Sequence, residues 1–191
     1  MKRKTLMFLF VMLSFMVFAQ NKTNPDEASV RKSLTYFFNS LKAKKTNQAV
    51  SSIDPKFFTV VPKEQLTQII EMTYNNPFMK VDILGMQPVN ITTPELINGA
   101  YYSIADYALR LKCNTGSLSD EMKKNIAQML FSKYGKNNVK YVQADGSYLI
   151  NAPMKACAIS KDKKSWKLVF VEKEYQSKLS KVLPKKILDK I

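Results

Sequence analysis

The stretch AYYSIADYALRLKC, residues 100–113, alternates along its whole length. Tyr101, Ser103, Ala105, Tyr107, Leu109, Leu111 and Cys113 fall on one face, and Tyr102, Ile104, Asp106, Ala108, Arg110 and Lys112 on the other. The second set carries the charges, so the spacing predicts a long strand with that face outward. Further strands are read at 78–87, 139–144 and 147–160. A last one has Trp166, Leu168 and Phe170 turned toward the helices. Asp145-Gly146 supplies a hairpin turn, Pro153 predicts a bend or bulge, and 88–98 reads as a turn-rich connection.

Upstream, Val30, Leu34, Phe37, Phe38 and Leu41 recur at spacings of three and four, the stripe of an amphipathic helix. Asp26 and Glu27 stand in its first turn, where acids suit the amino end. A short second helix is read at 46–53, ended by Asp54-Pro55, and a third opens at Pro62. Between strands, Ser117 or Ser119 caps a fourth helix with Asp120 and Glu121 in its first turn, and Gly135 stops it. Met122, Ile126, Met129, Leu130 and Lys133 share one side of it. The tail carries Leu179, Leu183, Ile187 and Ile191 in a four-residue rhythm that Pro184 interrupts, which predicts a kinked or two-piece helix. The fold class expected is α+β: N-terminal helices packed on a strongly bent antiparallel sheet of about five strands, one helix inserted between strands, and a basic C-terminal helix.

The chain has 191 residues, 46% hydrophobic and 24% charged, which is one core-forming domain with short appendages. It has no His and two Cys. That excludes His-based triads and a cysteine-histidine zinc site, so no metal and no cofactor are expected. Lys2, Arg3 and Lys4 precede an apolar run from Leu6 to Phe18 that ends Val17-Phe18-Ala19, the layout of a cleavable secretory signal. That run is too short to span a bilayer and no later stretch is longer, so no transmembrane helix is expected. The chain then divides into a signal at 1–19, a polar leader at 20–25, an α+β domain at 26–173 and an amphipathic tail at 174–191. The expected destination is secretion, or the periplasm in a Gram-negative source. Export would also let a disulfide persist. Cys113 and Cys157 are then either bridged or two separate buried thiols, since alternation does not give the strand order.

The formal charge is +15, and loss of Lys2, Arg3 and Lys4 leaves +12. Only Arg3, Arg31 and Arg110 are arginine. Sites that grip phosphate with paired hydrogen bonds favour Arg, so the balance reads as a general Lys surface. With export, it gives no nucleic-acid partner. Ten Lys between 161 and 190 face Asp162, Glu172, Glu174 and Asp189. An amphipathic tail of that kind suits peripheral contact with an anionic surface, or packing on its own domain with the Lys in water.

Ser165-Trp166-Lys167-Leu168-Val169-Phe170, closing a sheet after three N-terminal helices, resembles the cystatin-like α+β cone of the nuclear transport factor superfamily over residues 26–173. The resemblance implies a sheet curled round helices to leave a conical cavity. Members include enzymes, small-ligand binders and interaction domains, so the fold alone does not choose a function. The residues expected to line such a cavity are Tyr101, Tyr107, Leu109, Trp166 and Phe170. The acids available to an enzyme are Asp82 and Asp106, the latter on the charged face beside Arg110. Glu172 and Glu174 read as surface charge on one strand face. No Ser, Thr or Cys comes with an identifiable base, so no catalytic residue is assigned. The expected function is an exported, non-catalytic module that binds a small apolar ligand or an envelope protein. The alternatives are a small lyase or isomerase using a cavity carboxylate, and a basic surface-adhesion domain.

Overall fold

The computed structural model describes residues 24–76 and 79–191. The signal and leader expectations lie outside those residues, apart from Asn24 and Pro25.

Helix α1 (Pro25–Lys42) begins where its first turn is satisfied: the Asn24 side chain accepts from the Asp26 backbone N–H, and Pro25 needs no partner for the N–H it lacks. Val30, Leu34, Phe37, Phe38 and Leu41 are its buried face, as the spacing predicts. Helix α2 (Thr46–Ser51) buries Ala49 and Val50. Asp54 then caps a 3₁₀ turn, Pro55–Thr59. Helix α3 (Lys63–Asn75) has no fully buried residue and packs through Leu66, Ile70 and Tyr74.

The sheet is antiparallel, with β1 (Lys80–Ile91), β3 (Ala100–Asn114), β5 (Ser147–Ser160) and β4 (Val139–Val142) in that order. The short strands β2 (Glu95–Ile97) and β6 (Lys167–Phe170) extend the β3 and β5 edges. The protein is thus an α+β fold with helices on an antiparallel sheet that does not close into a barrel. Several of its details differ from the sequence reading or add to it. The span 88–98 is not a plain connection: β1 runs on to Ile91, and β2 pairs back on β3 through a two-residue turn in which Asn98 and Gly99 both have positive φ. Strand β1 also shifts register twice against β3, at Leu84 and Val89, and both bulged residues are exposed.

Pro153 makes no bulge, for the β3–β5 register runs unbroken past it. It sits where β5 has no outer neighbour, because β4 pairs only as far as Ile150 and β6 only from Ala156. Lys155, two residues on, accepts from the Val171 N–H on that outer side. Odd-numbered β5 residues therefore point their backbone groups outward, and the N–H that Pro153 lacks is one that no strand needs. A notch in the sheet edge results.

The face assigned outward on β3 is outward for only part of its length. Asp106, Ala108, Arg110 and Lys112 remain half-buried or exposed, whereas Tyr102 and Ile104 are buried. Leu179, Val182, Leu183 and Ile187 join these two, with Cys157 and Val169, in one core. Leu179 comes from a 3₁₀ stretch (Lys173–Lys181), Ile187 from α5 (Lys185–Leu188) after Pro184, and Val182 and Leu183 from the link between, the two-piece form expected. Lys186 and Lys190 both pair with Glu95, the register partner of Tyr102, and pin the segment there. Hydrogen bonds from those two lysines hold the Glu95 carboxyl down at about 2. The tail's apolar stripe is therefore packed on its own domain. Among the described residues no helix is long and apolar enough to cross a membrane.

Cys113 and Cys157 are separate free thiols, both buried. Cys157 stands opposite Ile104, nine positions along β3 from Cys113, which is about 30 Å at the usual strand rise. Burial raises the two thiols to about 11 and about 12 respectively. The protein denatured without reductant should titrate two thiols, and both should react slowly while it is folded. Absence of thiols in a monomer would mean a bridge that this sheet forbids.

Candidate functional site

The notch opens into a cleft of about 880 Å³, bounded by the C-terminal half of α4 (Asp120–Tyr134), residues 106–108 of β3, the unpaired stretch of β5 and the 171–174 segment after β6. Ser119 accepts from the Met122 N–H to start α4, and Gly135, at φ 84°, ends it. The packed side of this helix is Ile126, Leu130, Phe131 and Tyr134. Met122 and Met129, read as part of that side, are instead exposed, and Met129 faces the cleft. Val89, Met154 and Val171 add further apolar wall.

Tyr107 is the buried member of the lining, 2% exposed, its ring 5.1 Å from that of Phe38 on α1. Its hydroxyl makes no hydrogen bond among the described residues. Among the described residues no side-chain polar atom sealed from solvent lacks a partner, so this hydroxyl opens on the cleft. Burial and, after it, the negative charge of Glu172 push the phenol up.

Glu172 corrects the sequence reading. Strand β6 ends at Phe170, so alternation no longer governs residue 172, and its side chain lines the cleft instead of standing in water. Burial raises its carboxyl, Lys133 pulls it the other way, and Glu174 adds to the rise. Lys133 lies 3.5 Å from Glu174 and 5.7 Å from the centre of the Tyr134 ring. Burial works to lower Lys133, but Tyr134, Glu172 and Glu174 together hold it above its ordinary value. Asp106 pairs with Lys155 at 3.8 Å. Asp82 pairs with Lys80 at 3.6 Å, away from this cleft.

Of the five residues expected to line a cavity, the structure puts Tyr107 alone in this one. Tyr101 lies under Lys163, whose ammonium is 4.9 Å from the ring centre. Leu109 packs between the two core clusters. Trp166 is buried, its indole N–H donating to Ser29 Oγ at 2.7 Å and to the Lys163 carbonyl. Phe170 packs on Phe37, ring centres 4.7 Å apart. Alternation placed Tyr107, Phe170 and Leu168 on one face correctly, but packed helices fill most of that face. The cleft's polar residues Lys133, Tyr134 and Glu172 were not singled out as site residues, because nothing in the spacing brings α4 against the 171–174 segment.

Chemically the cleft offers a phenol donor, a half-buried carboxyl and balanced charge around a largely apolar wall. No group of three or more metal-ligating side chains occurs among the described residues. No family model matches this chain, and no curated protein does either.

Proposed function

We propose that this is an exported, non-catalytic module that binds a small, largely apolar ligand in the cleft between α4 and the notch of β5. The observation that carries the reading is the open, mostly apolar cleft with the Tyr107 hydroxyl, which has no partner among the described residues, opening at its wall. Its volume lies within the range usual for small-ligand sites, and flexible Met129 and Met154 suit an adaptable apolar fit. The likeness to the cone superfamily belongs to the same reading, since a curled sheet leaves room for such a site.

Filling the cleft tests it. Val89→Trp and Met129→Trp enlarge side chains that are 72% and 52% exposed, so stability should change little. A neutral apolar fluorophore should bind the natural protein saturably, and each substitution should weaken it about tenfold or more. Nonspecific binding untouched by either substitution would favour an interaction surface for an envelope protein.

A small lyase or isomerase is the second reading, and Glu172 is what favours it. A half-buried carboxyl held above its ordinary value by burial is the kind of group an acid-base step uses. For the surface-adhesion alternative, the tail's apolar stripe would first have to leave the core.

Export has its own measurement. The mature protein is expected to begin at Gln20, and mass spectrometry finding Met1 retained would defeat the secretory reading.

A further inference from the structure

The chain carries 30 basic residues against 15 acidic ones, yet the cleft does not share that excess. Asp106, Glu172 and Glu174 stand there against Lys133, Lys155 and Lys173. Lys155 is answered by Asp106, and Lys133 by Glu174. A carboxylate head seated at Tyr107 would lie beside Glu172, with Lys133 and Lys155 already engaged and Lys173 exposed, its charge acting on Glu174. An ammonium head could turn only to Glu172, on whose carboxyl the charge of Lys133 already acts, and would place a second cation beside that lysine. Either ion would also give up hydration on entering a mostly apolar cleft.

A hydroxyl head meets no such opposition. It accepts one hydrogen bond and donates another. The Tyr107 hydroxyl has no partner among the described residues and can donate. Glu172, near enough to act on that phenol through its charge, can accept. Val89, Met129, Met154 and Val171 then flank an aliphatic chain. We propose that the cleft takes a neutral amphiphile with a hydroxyl head, of the long-chain alcohol class, in preference to a fatty acid or an alkylamine; this rests on the cleft being a ligand site.

The test is displacement of the neutral probe N-phenyl-1-naphthylamine from the mature protein by 1-dodecanol, dodecanoate and dodecylammonium, each below its micellar or solubility limit. Dodecanol is expected to displace at a concentration at least about tenfold below that of either ion. Tyr107→Phe should raise the dodecanol requirement about tenfold once the variant's own probe affinity is taken into account, with the melting temperature little changed, because it removes a donor and no packing. Glu172→Gln, which keeps an acceptor without the charge, should narrow the gap between dodecanol and dodecanoate. Dodecanoate or dodecylammonium binding as well as the alcohol would overturn the head-group assignment, as would a Tyr107→Phe protein with unchanged dodecanol affinity. In both cases probe binding that remains sensitive to Val89→Trp and Met129→Trp would leave the ligand site standing. Probe binding indifferent to those two substitutions, or absent, would remove the site and this proposal together.

Discussion

Deleting residues 174–191 is expected to abolish cooperative folding, although these residues look like an appendage in the sequence. Leu179, Val182, Leu183 and Ile187 are buried in the main core, at 0–6% exposure. Each such side chain contributes about 1.5–3 kcal/mol when withdrawn from water. Together they contribute about 6–12 kcal/mol, against a net stability of about 5–15 kcal/mol for a domain. The deletion also bares Tyr102, Ile104, Cys157 and Val169, and it leaves Glu95 without Lys186 and Lys190. Ile187→Asp, which places an unpaired charge at a position 1% exposed, should have much the same consequence in the full-length chain. Thermal melts followed by circular dichroism decide it. A truncated protein that melts cooperatively within a few degrees of the full chain would show that the segment only decorates the sheet.

What could be read in the sequence, and what could not, follows from how far each periodicity reaches. The α1 stripe and the alternation of residues 100–113 repeat often enough to define a face; the α1 face and the inner face of β3 exist as read, while the outer face of β3 does so only from Asp106 on. The turn at Asn98-Gly99 carries an equally strong local signal, but it stands at the end of the 88–98 span read as a turn-rich connection, which Pro88 opens. That proline is tolerated because β1 is an edge strand, free on one side. The extra residues at Leu84 and Val89 leave no trace in the alternation, since a bulge adds one residue without changing residue type. The burial of Tyr102 and Ile104 depends on the tail crossing from the other end of the chain. The cleft is hardest to read of all. It forms where β4 and β6 each stop short on the same edge of β5, and only Pro153 hints at that gap. Glu172 then acquires its surroundings from α4, which lies about forty residues earlier in the chain.

Tyr107 has two roles that a pair of substitutions separates. Its ring belongs to the core, touching Phe38, and its hydroxyl belongs to the cleft. Tyr107→Ala should therefore cost about 3–5 kcal/mol, the usual loss when a buried aromatic side chain is cut back and neighbours cannot close the space. Strands β1 and β5 flank β3 on either side at this point, with Pro88 and Met154 as the register partners of Tyr107, so collapse into the space is restricted. Tyr107→Phe should alter stability by less than about 1 kcal/mol, because the hydroxyl it removes has no protein partner to strand. Urea unfolding of the three proteins at one pH measures both differences, with unchanged slopes confirming the same transition. The contrast also bears on ligand experiments. Weak binding by Tyr107→Ala would report a disturbed core as readily as a lost contact, whereas weak binding by Tyr107→Phe can come only from the hydroxyl. If Tyr107→Phe proved as costly to stability as Tyr107→Ala, the hydroxyl would have to hold a structural partner inside the protein, and the cleft would lose the donor on which its polar end depends.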